Sequence, residues 1–318
     1  MSTSEVTFSN RLVGIELEIP QFNHRLEAME YDYNWKIEND GSIPNEGREL
    51  ISPPIKGDNI LTQITRFYGI AANAGIRTEH NTCGTHVHIN AMDVYAWINE
   101  QEESESLDDR INEWGMAVSA LSRLFVGPGR NGTRFARGGF AIRDSYPCIP
   151  GALKKSRRVE YPTLAIRENT FEFRIFPSTT RSDYTLARVA FCQAAGDWLF
   201  KNIQLTEATF NRRLRTLMAP IEGNAVFDKP ELLQAALNEL GVNPIWQVIL
   251  MRIFNSFKEE NRNTIPDLWH HERDRVRKQE LARKKLVESF ARSIDEYNTP
   301  RLVVDHIASS LSLELSYT

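Results

Sequence analysis

Cysteine is scarce in this chain of 318 residues, and the cysteines show no pairing pattern. The 3 cysteines, Cys83, Cys148 and Cys192, are odd in number, and none belongs to a C-x-x-C motif. This spacing argues against a disulfide framework. We therefore expect a protein of the reducing cytoplasm.

Long hydrophobic runs are also absent, and none approaches the roughly 20 residues of a membrane-spanning helix. The polar segment of residues 1–6 lacks the apolar core of a signal peptide. We expect no association with a membrane. With 41% hydrophobic and 25% charged residues and a net charge of −4, the composition is typical of a soluble globular protein. The length suits one large domain or two modest ones.

The most informative stretch comprises residues 83–90, CGTHVHIN. If this stretch is a strand, its period of 2 places His86, His88 and Asn90 on one face and apolar residues on the other. Taken alone, a His-x-His pair is more often an incidental strand pair than a working site.

Two further stretches repeat this arrangement of a polar face backed by apolar residues. In residues 12–19, Glu16 and Glu18 share a face, and near residue 173 Glu172 and Arg174 do the same. If the three strands are neighbours in one sheet, they gather carboxylates, imidazoles and a guanidinium. Such a cluster repels itself unless cations lie within it. The pattern therefore predicts a site for metal and phosphate.

Five short motifs occur in order along the chain: Gly14-x-Glu16-x-Glu18, Asp40-Gly41-Ser42, Glu49-Leu50-Ile51-Ser52-Pro53, Cys83-Gly84-x-His86-Val87-His88 and Glu172-Phe173-Arg174. Each motif alone is weak, and their conjunction is the signal. Together they resemble the amidoligase family, which belongs to the glutamine synthetase-like carboxylate–amine ligases. The resemblance covers roughly residues 11–180, and the C-terminal third has no matching motif.

We expect an α+β fold whose sheet is curved and mostly antiparallel, of the glutamine synthetase/glutamate–cysteine ligase catalytic type. Helices should cover its apolar face. We assign residues 1–205 to an amidoligase-like catalytic domain and residues 206–318 to a helical C-terminal region. That region would serve packing or assembly, including formation of a homo-oligomer.

Hydrophobic periodicity and Gly, Pro and Asn signals predict the remaining elements. Strands are predicted at residues 35–39, 48–52 and 170–176, and helices at residues 58–74, 106–125 and 183–205. Further helices are predicted from Pro230 to Gly241, from Pro244 onward, and as a long charged helix over residues 266–297.

Two segments of the chain are rich in basic residues, and each is open to two interpretations. Residues 127–161 form either a solvated surface loop or a mobile basic lid that closes over a triphosphate, and their concentrated positive charge favours the lid. Residues 270–285 carry seven Arg or Lys beside three acids, which suits a solvated helix face or the binding of nucleic acid or an acidic partner. We favour the solvated face and expect no nucleic acid partner.

The resemblance implies an ATP-dependent reaction that joins a carboxylate to an amine through an acyl phosphate. The cofactors would be ATP and Mg²⁺ or Mn²⁺, with two ions bound. The substrates would be small molecules or peptides, and no motif selects the acid or the amine. The implied metal ligands are Glu16, Glu18, Glu49, His86 and Glu172, of which a lone strand residue such as Glu49 would otherwise face solvent.

The resemblance also implies contacts for the nucleotide and the substrates. His88 would contact phosphate, Asn90 the nucleotide, and Arg174 the γ-phosphate as a catalytic clamp, because a guanidinium offers a fork of donors. Asp40 would be a catalytic residue facing the amine. The alternative for Asp40 is turn chemistry alone, since an Asp-Gly pair needs no function.

Three rival interpretations remain open. A hydrolase would hold Zn²⁺ with His86, His88 and a Glu, and would need no ATP. A thiol enzyme would use Cys83 with one of these histidines. A catalytically inactive ligase fold would serve as a binding protein, although the full set of candidate ligands speaks against it.

Overall fold

The protein is described by a computed structural model over residues 8–41, 43, 47–80, 82–101, 105–126, 140–142, 164–167 and 169–265. Within these ranges the strands are β1 (Val13–Ile19), β2 (Lys36–Glu38), β3 (Arg48–Ile51), β4 (Gly84–Asn90), β5 (Phe140–Ile142), β6 (Leu164–Ile166) and β7 (Thr170–Pro177). The α-helices are α1 (Glu27–Tyr33), α2 (Asp58–Asn73), α3 (Met92–Asn99), α4 (Glu105–Arg123), α5 (Ser182–Ile203), α6 (Glu207–Met218), α7 (Glu231–Leu240) and α8 (Pro244–Thr264). Short 3-10 helices span His24–Leu26 and Glu222–Phe227.

All of these strands form one sheet, with the order β2-β3-β1-β4-β7-β6-β5 across the described residues. Each neighbouring pair is antiparallel except β5 and β6, which are parallel. The expected combination of helices with a mostly antiparallel sheet is confirmed. Strand β1 lies between β3 and β4, so residues distant in sequence become neighbours at the centre of the sheet.

One face of the central strands is apolar and buried, as the period of 2 predicted. Its side chains are buried in β1 (Val13, Ile15, Leu17, Ile19), in β4 (Val87, Ile89) and in β7 (Phe171, Phe173, Ile175). Helix α5 lies directly on this face. A Cβ atom built on Gly196 of α5 would lie 2.8 Å from Cγ2 of Ile89, so the close approach depends on glycine.

Helices α2 and α4 join α5 in the layer behind the sheet. The hydroxyl groups of Tyr68 and Thr185 lie 2.7 Å apart and link α2 to α5. Nε1 of Trp114 in α4 donates to the carbonyl oxygen of Ala195 in α5. The predicted helices at residues 58–74, 106–125 and 183–205 therefore exist with shifts of a few residues at their ends.

Some elements were not predicted from the sequence. Helix α3 has only eight residues, which is too short for periodicity to separate a helix from a loop. Helix α6 and strand β6 were also missed, and strand β5 lies inside the basic segment of residues 127–161. The rest of that segment and the predicted helix over residues 266–297 lie outside the described residues.

The C-terminal helices pack against α5. Trp198 of α5 contacts Phe210 of α6, with ring centroids 5.6 Å apart, and its Nε1 donates to Glu239 of α7 at 2.8 Å. In the same region Phe227 stacks on Phe254 of α8. The predicted domain boundary between residues 205 and 206 stays a prediction.

None of the described helices combines the length and apolar character needed to cross a bilayer.

Candidate metal and phosphate site

The ladder between β1 and β4 brings acidic residues opposite histidines. Glu16 is paired with His86, and Gly14 is paired with His88. On the far side of β4, His88 is paired with Glu172 of β7. The polar faces of the three strands predicted from the sequence are therefore contiguous.

The ladder between β1 and β3 adds a second acidic pair. Glu18 is directly opposite Glu49. Strand β3 is stopped by Pro53, which cannot donate a ladder hydrogen bond. Glu49 thus joins the same face as the residues of β1.

Glu16 lies between the two imidazoles. Its Oε2 is 2.8 Å from Nδ1 of His86, and its Oε1 is 2.8 Å from Nε2 of His88. Burial alone would raise the pKa of Glu16, but the hydrogen bond with His86 and the close approach of His88 outweigh burial and lower it. Glu16 is therefore an ionised carboxylate at the centre of the cluster.

His86 connects the carboxylates of β1 and β7. Its Nε2 is 3.5 Å from Oε1 of Glu18, and its Nδ1 is 3.9 Å from Oε1 of Glu172. Only 3% of His86 is exposed. Glu18 is held in turn by a hydrogen bond from the backbone N–H of Gly84. These contacts hold the polar face in place before any ligand arrives.

At the other end of the cluster, Glu18, Asp40 and Glu49 each offer a carboxylate oxygen within 4.8 Å of the others. Burial and the negative charges of Glu16, Glu18 and Asp40 raise the pKa of Glu49 to about 8. This end of the site therefore crowds three carboxylates together. Asp40, which the sequence assigned to the amine, lies beside carboxylates.

The donor set fits divalent cations. Two more groups of possible ligand atoms, also within 4.8 Å, comprise Glu16, Glu49 and His86, and Glu16, His88 and Glu172. The groups overlap, so one connected site gathers all five predicted ligands. Carboxylate oxygens with few imidazoles suit Mg²⁺ or Mn²⁺. A cation there would relieve the repulsion that raises the pKa of Glu49.

Two guanidinium groups close the β7 end of the cluster. Nη1 of Arg174 donates to Oε1 of Glu172, and Nε of Arg167 donates to Oε2 of the same carboxylate. Glu172 is completely buried. Burial alone would raise its pKa, but the charges of Arg174, His88, His86 and Arg167 outweigh burial and lower it.

Sequence reasoning missed Arg167. It lies in the turn between β6 and β7, where no periodic pattern predicts the direction of a side chain.

The sequence predicted that the guanidinium of Arg174 contacts phosphate and not a structural carboxylate. In the structure, one of its nitrogens contacts Glu172. Nε of Arg174 is buried and has no hydrogen-bond partner among the described residues. The phosphate contact of Arg174 stays a prediction.

Asn90 ends β4 and has structural contacts. Its Oδ1 accepts a hydrogen bond from the N–H of Met92 at the start of α3, and its carbonyl oxygen accepts one from Arg11. The buried Arg11 side chain also forms ion pairs with Asp93 and Asp197 at 2.8 and 2.7 Å. These contacts fix the end of β4, while the predicted contact of Asn90 with a nucleotide stays untested.

Cys83 immediately precedes β4 and is a completely buried cysteine that forms no disulfide bond. Reactive cysteines are partly exposed and lie in electropositive surroundings. The position of Cys83 is that of a structural residue, which does not favour the thiol enzyme.

Residues 11–101 match the sequence model of a family described as "Putative amidoligase enzyme". The resemblance to the amidoligase family is confirmed. The matched segment contains Glu16, Glu18, Asp40, Glu49, His86, His88 and Asn90, whereas Glu172 and Arg174 lie beyond it. This match supports a carboxylate–amine ligase. A comparison with curated proteins gives no match.

Two solved structures resemble the chain at low identity. One is a bifunctional glutathione synthetase from Pasteurella multocida, with 12% identity, a TM-score of 0.40 and coverage of 96% of this chain. This chain spans about half of that protein, 52% of its length. The other is the complex between the prokaryotic ubiquitin-like protein Pup and its ligase PafA, with 9% identity, a TM-score of 0.37 and coverage of 95% of this chain and 72% of that one.

Proposed function

We propose that the protein is an ATP-dependent carboxylate–amine ligase with a catalytic sheet of the glutamine synthetase/glutamate–cysteine ligase type. The observation that supports this proposal is that the two ends of one continuous cluster of side chains differ in charge. Carboxylates crowd at its β3 end, around Glu18 and Glu49, and two guanidinium groups flank Glu172 at its β7 end. A site with both characters suits cations and an anion bound side by side.

The proposed metal ligands are the five residues that this cluster gathers, Glu16, Glu18, Glu49, His86 and Glu172. We expect them to hold two Mg²⁺ or Mn²⁺ ions together with ATP. Such ions would supply positive charge that offsets the charge developing during phosphoryl transfer. The protein contributes a set of ligands whose positions the sheet already determines.

The reaction follows from the chemistry of carboxylates. A substrate carboxylate oxygen attacks the γ-phosphorus of ATP, which releases ADP and forms an acyl phosphate. The amine then attacks the acyl carbon, and phosphate leaves with the oxygen that came from the carboxylate. In our proposal Asp40 accepts the proton that the amine loses, since it lies at the carboxylate-rich end of the site.

The phosphate end of the site has its own assignments. Arg174 acts as a catalytic clamp on the γ-phosphoryl group, because its guanidinium lies beside Glu172 on the polar face of β7. His88 contacts phosphate from the neighbouring strand, and Asn90 contacts the nucleotide. A guanidinium retains its charge throughout the reaction, which suits an anion whose charge is redistributed.

The remaining assignments extend this proposal to the whole chain. Residues 1–205 form the catalytic domain, and residues 206–318 form a helical region through which the chain assembles into a homo-oligomer. The substrates are small-molecule or peptide carboxylates and amines of the cytoplasm.

An oxygen-transfer experiment tests the proposed reaction. The protein is incubated with ATP, Mg²⁺, amine pools and acid pools whose carboxylates carry ¹⁸O. We expect phosphate release that depends on both pools, with one ¹⁸O atom transferred to each phosphate. Glu16→Gln should abolish release, and Glu259→Gln on the exposed face of α8 is the matched control.

The same incubation separates the rival reactions. A zinc hydrolase would form products without ATP and would be activated by Zn²⁺ alone. Phosphate without ¹⁸O would indicate simple ATP hydrolysis. Either result would contradict the ligase proposal.

A further inference from the structure

We propose that Arg167 is a second phosphate-binding residue of this site and acts with Arg174 on the same anion. The inference rests on the proposed function, because it takes the anion to be the polyphosphate of a nucleotide. It adds a residue outside the five motifs and outside the segment that matches the amidoligase family.

The argument begins with the geometry at Glu172. Arg167 and Arg174 donate to different oxygens of this one carboxylate, so their guanidinium groups flank it from two sides. They come from different elements, the turn after β6 and the polar face of β7. Two guanidinium groups that share one carboxylate are close enough to contact one phosphate chain.

The second step is the charge balance. Glu172 carries one negative charge and contacts two permanently positive groups, Arg167 and Arg174. These two guanidinium groups therefore share the single negative charge of this carboxylate at the β7 end. At the β3 end, Glu18 and Glu49 crowd negative charge. An anion is therefore attracted to the β7 end, where the two guanidinium groups lie.

The third step is that the backbone of Arg167 is held in place. Its N–H donates to the carbonyl oxygen of Thr170 at 2.8 Å, and its carbonyl oxygen accepts a hydrogen bond from the hydroxyl of Tyr95. The next described residue, Asn169, accepts a hydrogen bond from the N–H of Ala91. Contacts from Tyr95 of α3 and from Ala91 just before α3 thus hold the backbone at residues 167 and 169, so little backbone entropy is lost there when a ligand binds.

The last step is access. The Arg167 side chain is 31% exposed, whereas that of Arg174 is 16% exposed and that of Glu172 is fully buried. Arg167 is therefore the more accessible of the two guanidinium groups for an anion arriving from solvent.

The test separates anion binding from metal binding. Isothermal titration calorimetry measures tripolyphosphate without metal, and Mn²⁺ without phosphate, on the full chain. Arg167→Ala should weaken tripolyphosphate binding roughly tenfold or more, since a charge-assisted hydrogen bond contributes about 1.5–3 kcal/mol. It should leave Mn²⁺ affinity unchanged or increase it, because a positive charge next to a ligand carboxylate is lost.

A structural role for Arg167 gives the opposite result. If the arginine only positions Glu172, Arg167→Ala weakens Mn²⁺ binding and leaves tripolyphosphate affinity intact, which would overturn the proposal. Arg213→Ala removes a comparably exposed guanidinium that pairs with Glu239 in the C-terminal helices, and it should change neither affinity. Arg167→Lys retains the charge and should recover part of the tripolyphosphate affinity if the alanine variant is poorly folded.

The parent protein distinguishes this proposal from the proposed function. Parent protein that binds MgATP and tripolyphosphate, with an Arg167→Ala variant that binds both equally well, overturns the role of Arg167 and leaves the ligase intact. Parent protein that binds neither overturns both.

Discussion

Glu18 and Glu49 lie directly opposite each other across the ladder between β1 and β3, on the same polar face. Like charges in this relationship destabilise a sheet. Asp40 adds a third carboxylate within 4.8 Å. The fold therefore retains a repulsive arrangement at its centre, as expected where a site is built to receive cations.

The first prediction concerns pH and Glu49. Burial and the charges of Glu16, Glu18 and Asp40 raise the pKa of Glu49 from 4.5 to about 8. Between these values the folded protein keeps a proton that the unfolded chain has lost, so the free energy of unfolding falls as pH rises. Without divalent cations, Glu49→Gln should therefore exceed the parent in Tm, by a margin that grows from pH 5 to pH 8.

Thermal unfolding in EDTA over this pH range measures the margin. Glu259→Gln, at an exposed position of α8, should follow the parent at every pH. A constant margin for Glu49→Gln would show that the carboxyl group is not crowded.

The second prediction concerns metal binding at Glu16, which belongs to two of the three candidate ligand groups. Mg²⁺ or Mn²⁺ should raise the Tm of the parent, because an ion at 100 times its Kd stabilises the folded state by about 2.7 kcal/mol. Glu16→Gln should lose most of this shift. Differential scanning fluorimetry across a titration of the ion measures it, and an unchanged shift in Glu16→Gln would remove this residue from the metal site.

The third prediction concerns Arg174. Arg174→Lys retains the charge and loses the fork of donors, so kcat should fall on the order of 10³-fold while ATP binding weakens far less. Steady-state phosphate release and equilibrium nucleotide binding give the two quantities. Near-normal turnover would show that the ion pair with Glu172 is the whole role of Arg174.

The fourth prediction concerns packing behind the site. Gly196→Ala would place a methyl group 2.8 Å from Ile89, the neighbour of His88 in β4, and should destabilise the protein by about 1–3 kcal/mol. Gly69→Ala in α2 meets no atom within 4 Å and should be neutral or stabilising by about 0.5–1 kcal/mol. Urea unfolding of both variants compares them. Equal stabilities would mean that α5 does not lie so closely on β4.

The fifth prediction concerns the thiol alternative. Cys83→Ala should retain ATP-dependent turnover within about threefold, because a buried cysteine that forms no disulfide bond acts as a small hydrophobic residue. Cys192→Ala, at another buried cysteine of this kind, is the matched control. Loss of turnover in the Cys83 variant alone, with Tm unchanged, would restore the thiol enzyme.

Several features of the site follow from local sequence. Alternation along residues 12–19, 83–90 and 170–176 predicts which side chains share a face, and the structure has strands at all three places. The family motifs indicate Glu49, which alternation alone would leave facing solvent. Burial of Val87 and Ile89 on the opposite face favours the unbroken register of β4 with β1.

Other features of the site could not be predicted from local sequence. Arg167 contacts Glu172 because a turn brings it there, and turns carry no period that aims a side chain. Asp40 lies beside Glu18 and Glu49 because β2 pairs with β3 and ends near them. The two arginines on one carboxylate could therefore not be predicted from spacing.

The sequence by itself determined the composition of each polar face, because side-chain alternation in a strand is a property of the strand alone. Tertiary structure decided which faces meet. Strand β1 lies between β3 and β4, and β7 lies beyond β4, in a sheet whose apolar face packs against α4 and α5. That order places Glu16 between His86 and His88, and Glu172 between two guanidinium groups, since ladder pairing joins residues that are far apart in the chain.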